Sequence, residues 1–115
     1  MIRTKDQINK QTKPAPFDGG GEVTMRCLLN GPEEMYQKGR VFNHNTVHPG
    51  SAIGIHTHHG ESETYYILSG SGIYHDNGKD IQVHAGDVCF CGDGQTHGLK
   101  ALDEPIEMIA LILYK

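Results

Sequence analysis

The sequence predicts an all-β fold in a single domain, and three observations carry that prediction. Short apolar or alternating stretches recur from Glu22 to the end of the chain. Turn residues separate them at the intervals typical of antiparallel sheets. The 15 glycines in 115 residues suit the tight corners that such a fold needs.

Residues 1–21 are polar, carry Pro14 and Pro16, and end in Gly19-Gly20-Gly21. They show no helical period and read as an extended or partly disordered arm before a domain at 22–115. Strands are expected at Val23–Leu29, Arg40–Val47, Ala52–His56, Thr64–Leu68, Gly72–His75, Ile81–His84, Val88–Cys91 and Ile106–Tyr114. Between the first two, Pro32–Gln37 has room for one helical turn. Asp76-Asn77-Gly78-Lys79 should close a hairpin, because Asn-Gly readily takes the positive φ values of a type I′ turn. About eight short strands leave edges to hide, and closure into a barrel or jelly roll hides them.

Composition excludes several function classes. The net charge is −4, with no basic run longer than two residues, which argues against a surface that tracks phosphates. The longest apolar run, Met108 to Tyr114, is too short to span a bilayer. Three cysteines and an N-terminus without the apolar core of a signal peptide fit a reducing cytoplasm. No glycine-rich loop leads into a helix, and no basic stretch is interleaved with stacking aromatics.

The stretch from Gly50 to Glu63 carries the chemistry. Residues two apart on a strand share a face, so His56 and His58 aim two imidazoles at one point while His59 faces away. Glu63 lies an odd number of residues from His58. A turn over His59–Ser62, with Glu63 opening the neighbouring antiparallel strand, would return its carboxylate to the histidines. On a chain with 8 histidines, one His-x-His pair also arises by chance. A second cluster, Gly86 to His97, runs strand, glycine turn, then histidine.

Together these stretches resemble the cupin family. Gly50, His56, His58, Glu63 and Gly70 fit its first motif, G-x5-H-x-H-x3,4-E-x6-G, at every fixed position. Gly86, Gly94 and His97 fit the second, G-x5-P-x-G-x2-H-x3-N. Gly92 stands there in place of proline and Ala101 in place of asparagine. The 15 residues between Gly70 and Gly86 match the spacing of small single-domain bacterial cupins. The resemblance implies a double-stranded β-helix, or jelly-roll barrel, holding one divalent transition metal on His56, His58, Glu63 and His97.

Three imidazoles and a carboxylate suit Mn, Fe, Co, Ni, Cu or Zn, and do not suit Mg or Ca. Four protein ligands on a six-coordinate ion leave two positions for substrate. Similarity to oxalate-decarboxylase-like monocupins implies manganese and a small carboxylate ligand. A metalloenzyme acting on such a substrate, an Fe(II)-dependent dioxygenase and a non-catalytic metabolite-binding module remain the three functional expectations. The resemblance also implies a homodimer, with the arm and Val23–Leu29 as the exchanged segment.

The other candidates read more plainly. His44, His48, His75 and His84 are expected on strand faces or the surface. Glu61 competes with Glu63 as a ligand but misses the spacing to Gly70, so it is expected in an exposed loop. Cys89 and Cys91 share a strand face, as a soft-metal pair or as small buried apolar residues, and the second reading is preferred. Tyr65 is in phase with Glu63 and is expected to line the interior. Phe42, Phe90, Ile53, Ile55, Ile67, Ile73 and Val88 are expected in the core.

Overall fold

The computed structural model describes all residues, 1–115, as ten strands in two facing antiparallel sheets. The strands are β1 (Asn9–Pro14), β2 (Glu22–Leu29), β3 (Gly39–Val47), β4 (Ala52–Thr57), β5 (Glu61–Ser69), β6 (Ser71–Asp76), β7 (Lys79–His84), β8 (Val88–Cys91), β9 (Thr96–Ala101) and β10 (Ile106–Tyr114). The larger sheet runs β1-β2-β3-β10-β5-β8 and the smaller β4-β9-β6-β7. The chain therefore crosses between sheets repeatedly, as a jelly roll requires.

Alternation along the strands builds the core. Ile106, Met108, Ala110 and Ile112 of β10 and Tyr65 and Ile67 of β5 face Ile53, Tyr74, Val83 and Leu99 of the smaller sheet, all buried. Asn77 (φ 48°) and Gly78 (φ 91°) make the β6–β7 hairpin, with Asp76 paired to Lys79. Pro32–Met35 form the expected helical turn, a 3-10 helix, and a second 3-10 turn, Lys5–Gln7, precedes β1.

Several expectations need correction. Of the two alternatives for residues 1–21, extended or partly disordered, Asn9–Pro14 take the extended one, and they add a strand that was not expected, pairing with β2 from Cys27 back to Glu22. All six β1 residues are exposed, so no periodicity marks the strand. Thr96–Ala101 also form a strand, although the preceding Gly92-Asp93-Gly94 reads as turn throughout.

Ile55, Val88 and Phe90 are exposed rather than in the core, at 58%, 64% and 58%. Cys89 and Cys91 occupy the inward positions of β8, so their neighbours must face out. Phe42 and Ile73 are half-buried, while Ile53 and Ile67 are buried as expected. Ile55 is displaced by a bulge: Gly54 and Ile55 together stand against Gly98 of β9, between the pairs Ile53–Leu99 and His56–His97. The extra residue lets Ile53 and His56 both face inward, which a regular strand forbids.

Candidate metal centre

The bulge sets the first donor. It turns His56 inward at the end of β4, beside its β9 partner His97. His58 follows just beyond the strand and is buried at 5% exposure. Glu63 then arrives from the other sheet. β5 pairs with β10 and β8 and has no ladder to β4, so residues 58–60 form a crossover rather than the hairpin expected from sequence. The larger sheet lies across the core, and from there the odd spacing between His58 and Glu63 poses no difficulty.

Four donor atoms converge at the meeting point: Nε2 of His56, His58 and His97, and Oε1 of Glu63. The three imidazole nitrogens stand 3.1 Å from one another. Glu63 Oε1 is 3.1 Å from His58 and from His97, and 3.9 Å from His56. A tetrahedron has six equal edges. Here five edges are equal and the His56–Glu63 edge is longer, so the set is opened on one side relative to a regular tetrahedron. A 3.1 Å edge corresponds to a donor-to-centre distance of about 1.9 Å in a tetrahedral set and about 2.2 Å between adjacent octahedral positions, bracketing the ~2.0–2.2 Å of first-row metals on His and carboxylate.

The outward nitrogens are held too. His56 Nδ1–H donates to the Gly54 carbonyl at 2.8 Å, which leaves its Nε2 lone pair facing the cluster. His58 Nδ1 lies 2.6 Å from Glu61 Oε2, and His97 Nδ1 lies 2.8 Å from the Tyr74 hydroxyl. Arg40 of β3 grips Glu61 through both oxygens at 2.8 Å. Glu61 is therefore no exposed loop residue. It opens β5 with its side chain 12% exposed and orients a donor from behind.

The electrostatics favour an ionised carboxylate among imidazoles. Burial pushes the Glu63 carboxyl up, but bonds to His56, His58 and His97 together outweigh it, and it sits well below the usual range. The bond to Glu63 raises His58 against the effect of burial. Burial lowers His97, with Glu63 opposing. Arg40 holds Glu61 low and is itself raised by the pairing.

Tyr65 stacks on His97 at 5.1 Å, and its hydroxyl is kept neutral mainly by burial. Phe17, from the N-terminal segment, stacks on His56 at 3.9 Å with rings 9° apart. It takes a left-handed φ of 58°, followed by Asp18 at 55°, in a segment pinned to β4 by Gly54 N–H to Pro16 O and Ala52 N–H to Gly20 O. That segment passes so close that a Cβ on Gly54 would overlap the Phe17 carbonyl.

The remaining candidates lie elsewhere. His44 bonds Glu107, His48 bonds Thr24, His75 bonds Asp80, and His84 stands 3.9 Å from Asp87. Cys89 and Cys91 are buried free thiols, pushed by burial to about 11, and neither belongs to the donor cluster. Sequence reasoning missed Tyr74, Arg40 and Phe17. Tyr74 carried a readable signal, since it lies in phase with the β6 glycine Gly72 on the inward face.

A cavity of about 300 Å³ opens beside the donors, lined by His56, His58, Glu63, Tyr65, Asn43 and Asn45, with Lys13 and Arg40 among its outer residues. A larger groove of about 610 Å³ runs over the outer face of the smaller sheet and contains none of the four donors.

Comparison with known proteins agrees with this architecture. Residues 43–112 match the family described as the cupin domain. The chain is 46% identical over 114 residues to an oxalate-binding protein of Thermotoga maritima, covering 98% of this chain and 93% of that one. It superposes with a TM-score of 0.93 and 40% identity on the crystal structure of a predicted oxalate decarboxylase from Thermotoga maritima, over 100% of both chains. KdgF from Halomonas sp. shares the fold alone, with a TM-score of 0.76 at 16% identity over 100% of this chain and 95% of that one. Two facing antiparallel sheets, the two motifs in register and a family match over more than half the chain lead to one assignment: this chain belongs to the cupin domain family.

Proposed function

We infer that the chain binds one divalent transition-metal ion on His56, His58, Glu63 and His97, and through it a small carboxylate, with oxalate the first candidate. The observation that carries this reading is the convergence of four donor atoms at one point beside a cavity that His56, His58 and Glu63 line. When bound, the ion would supply a Lewis-acidic anchor for a bidentate carboxylate. Manganese is the preferred ion on family resemblance, and the imidazole-rich set also suits Fe, Co, Ni, Cu and Zn. The name of the Thermotoga maritima relative supports oxalate as ligand.

Binding is favoured over turnover by the lining of the cavity. Its one carboxyl is Glu63, which the donor set already uses, and Glu61 is turned away onto Arg40. Decarboxylation needs a proton delivered to the reacting carbon, and neither glutamate is free to deliver it. The other candidates in the lining are Tyr65, whose hydroxyl keeps its proton through burial, and Lys13. A homodimer belongs to the same reading, supported by the edge position of β1 in the larger sheet.

Titration calorimetry of oxalate into Mn(II)-loaded and chelator-stripped protein tests the inference. Saturable binding in the loaded form alone is expected. Equal binding in both forms, or none in the loaded form, would refute it.

A further inference from the structure

The loop between β1 and β2 leaves the larger sheet and lies along the free edge of β4. There Gly54 N–H donates to the Pro16 carbonyl and Ala52 N–H to the Gly20 carbonyl. Phe17 and Asp18, between these two ties, take left-handed φ values of 58° and 55°. That conformation suits glycine or asparagine and is disfavoured for a bulky side chain. Backbone outliers of this kind persist where the surroundings impose them, and they cluster at ligand sites. An aromatic ring in such a place calls for a use of the ring. It lies flat on His56, with centroids 3.9 Å apart and planes 9° from parallel, yet Phe17 is 59% exposed.

The ring stands between two spaces. Of the residues lining the cavity of about 300 Å³ beside the donors, only Phe17 and Ile53 also line the outer groove of about 610 Å³. Ile53 belongs to β4 and is buried at 6%, so Phe17 supplies the loop side of the partition. Beyond it the groove is largely apolar, with Ile55, Ile73 and Leu99. We propose that Phe17 sets the size of the acid that the centre accepts. Its ring walls the cavity off from the groove, so small carboxylates fit and those bearing a bulky apolar substituent are turned away. An obstruction of this kind gives specificity by excluding the wrong ligand rather than by gripping the right one. Without the ring the two spaces join, and an apolar substituent gains a place along Ile55 and Ile73. The proposal rests on the metal–carboxylate reading above.

Malonate and benzylmalonate carry the same two carboxylates and differ by one aromatic substituent, so together they isolate this wall. Calorimetry on the Mn(II)-loaded full chain should show malonate binding tighter than benzylmalonate by on the order of tenfold or more. In Phe17→Gly, loaded to the same metal content, benzylmalonate should gain affinity and the ratio should fall to near unity. Equal binding of the two acids by the wild type overturns the proposal. So does a ratio that persists in the variant, or one that falls only because malonate weakens. If malonate binds in any of those cases, the metal–carboxylate reading still stands. If the loaded wild-type chain binds neither malonate nor oxalate, both fail together.

The ratio separates this role from a structural one. A Phe17 that only steadied the His56 ring would, on removal, weaken both acids together and leave their ratio as it was. Glycine suits the left-handed φ at this position, so Phe17→Gly removes the ring without adding backbone strain. Phe17→Ala removes the same ring and repeats the comparison if the glycine variant does not take up the ion.

Discussion

At the scale of single residues, the candidate centre depends on groups behind the donors as much as on the donors. Glu61 fixes His58 by a 2.6 Å contact and is itself fixed by two bonds from Arg40. Partners of this kind set the tautomer and aim of a ligating imidazole, and their loss typically weakens metal affinity 10–100-fold. Glu61→Gln keeps the shape but weakens both contacts, so it should lower Mn(II) affinity within that range in a chelator-competition assay. Unchanged affinity would mean that Glu61 is structural only. That His56, His58, Glu63 and His97 converge was legible, because their spacing is local along each motif. Glu61 was not. Its role comes from Arg40, a residue 21 positions away on another strand, and no short-range pattern connects them.

At the scale of elements, two irregularities bring the donors together. The bulge at Gly54–Ile55 turns His56 inward, and the crossover at residues 58–60 carries the chain to the opposite sheet. The β8–β9 loop clamps this crossover: Gly94 N–H donates to the His58 carbonyl, His58 N–H to the Gln95 carbonyl, and Gly60 N–H to Asp93 Oδ1.

The Asp93 carboxyl is held below its ordinary value by Gly60 first and Lys115 second. With its folded pKa depressed, this tie is intact above the ordinary aspartate range near ~3.9 and is lost as pH falls through the lowered value. Asp93→Ala should therefore raise the hydrogen-exchange rate of the Gly60 amide at neutral pH while leaving the β10 amides protected. An unchanged Gly60 rate would place the restraint elsewhere. The β6–β7 hairpin was legible because Asn77-Gly78 fixes the turn by local sterics. β9 was hidden by its glycine: Gly98 lies where a Cβ would crowd Ile53 and Ile55 of the bulged strand, a tertiary reason with no local signature.

At the scale of the whole molecule, fold class followed from the regular alternation of apolar stretches and turns, a barrel or jelly roll from the need to hide edges, and the jelly-roll barrel itself from the resemblance to cupins. The path of the first 21 residues could not be read in the same way. β1 is held by backbone pairing to β2 and by the Thr12–Thr24 hydroxyl contact of 2.7 Å, and polar residues lie on both its faces. This edge bears on the proposed homodimer. Sedimentation of the full chain should give the mass of a dimer, and a chain beginning at Glu22 should sediment as a monomer. A truncated chain that stays dimeric would exclude the N-terminal segment as the essential contact.

Three imidazole nitrogens and one carboxylate oxygen, drawn from facing sheets, converge on one point, and we propose that they hold a metal ion there. Elemental analysis of the protein purified without chelator, beside His58→Ala prepared identically, tests it most directly. The structure predicts about one transition-metal ion per chain in the wild type, as four donors on one centre require, and a greatly reduced content in the variant. A variant that retains the full stoichiometric metal would contradict the assignment.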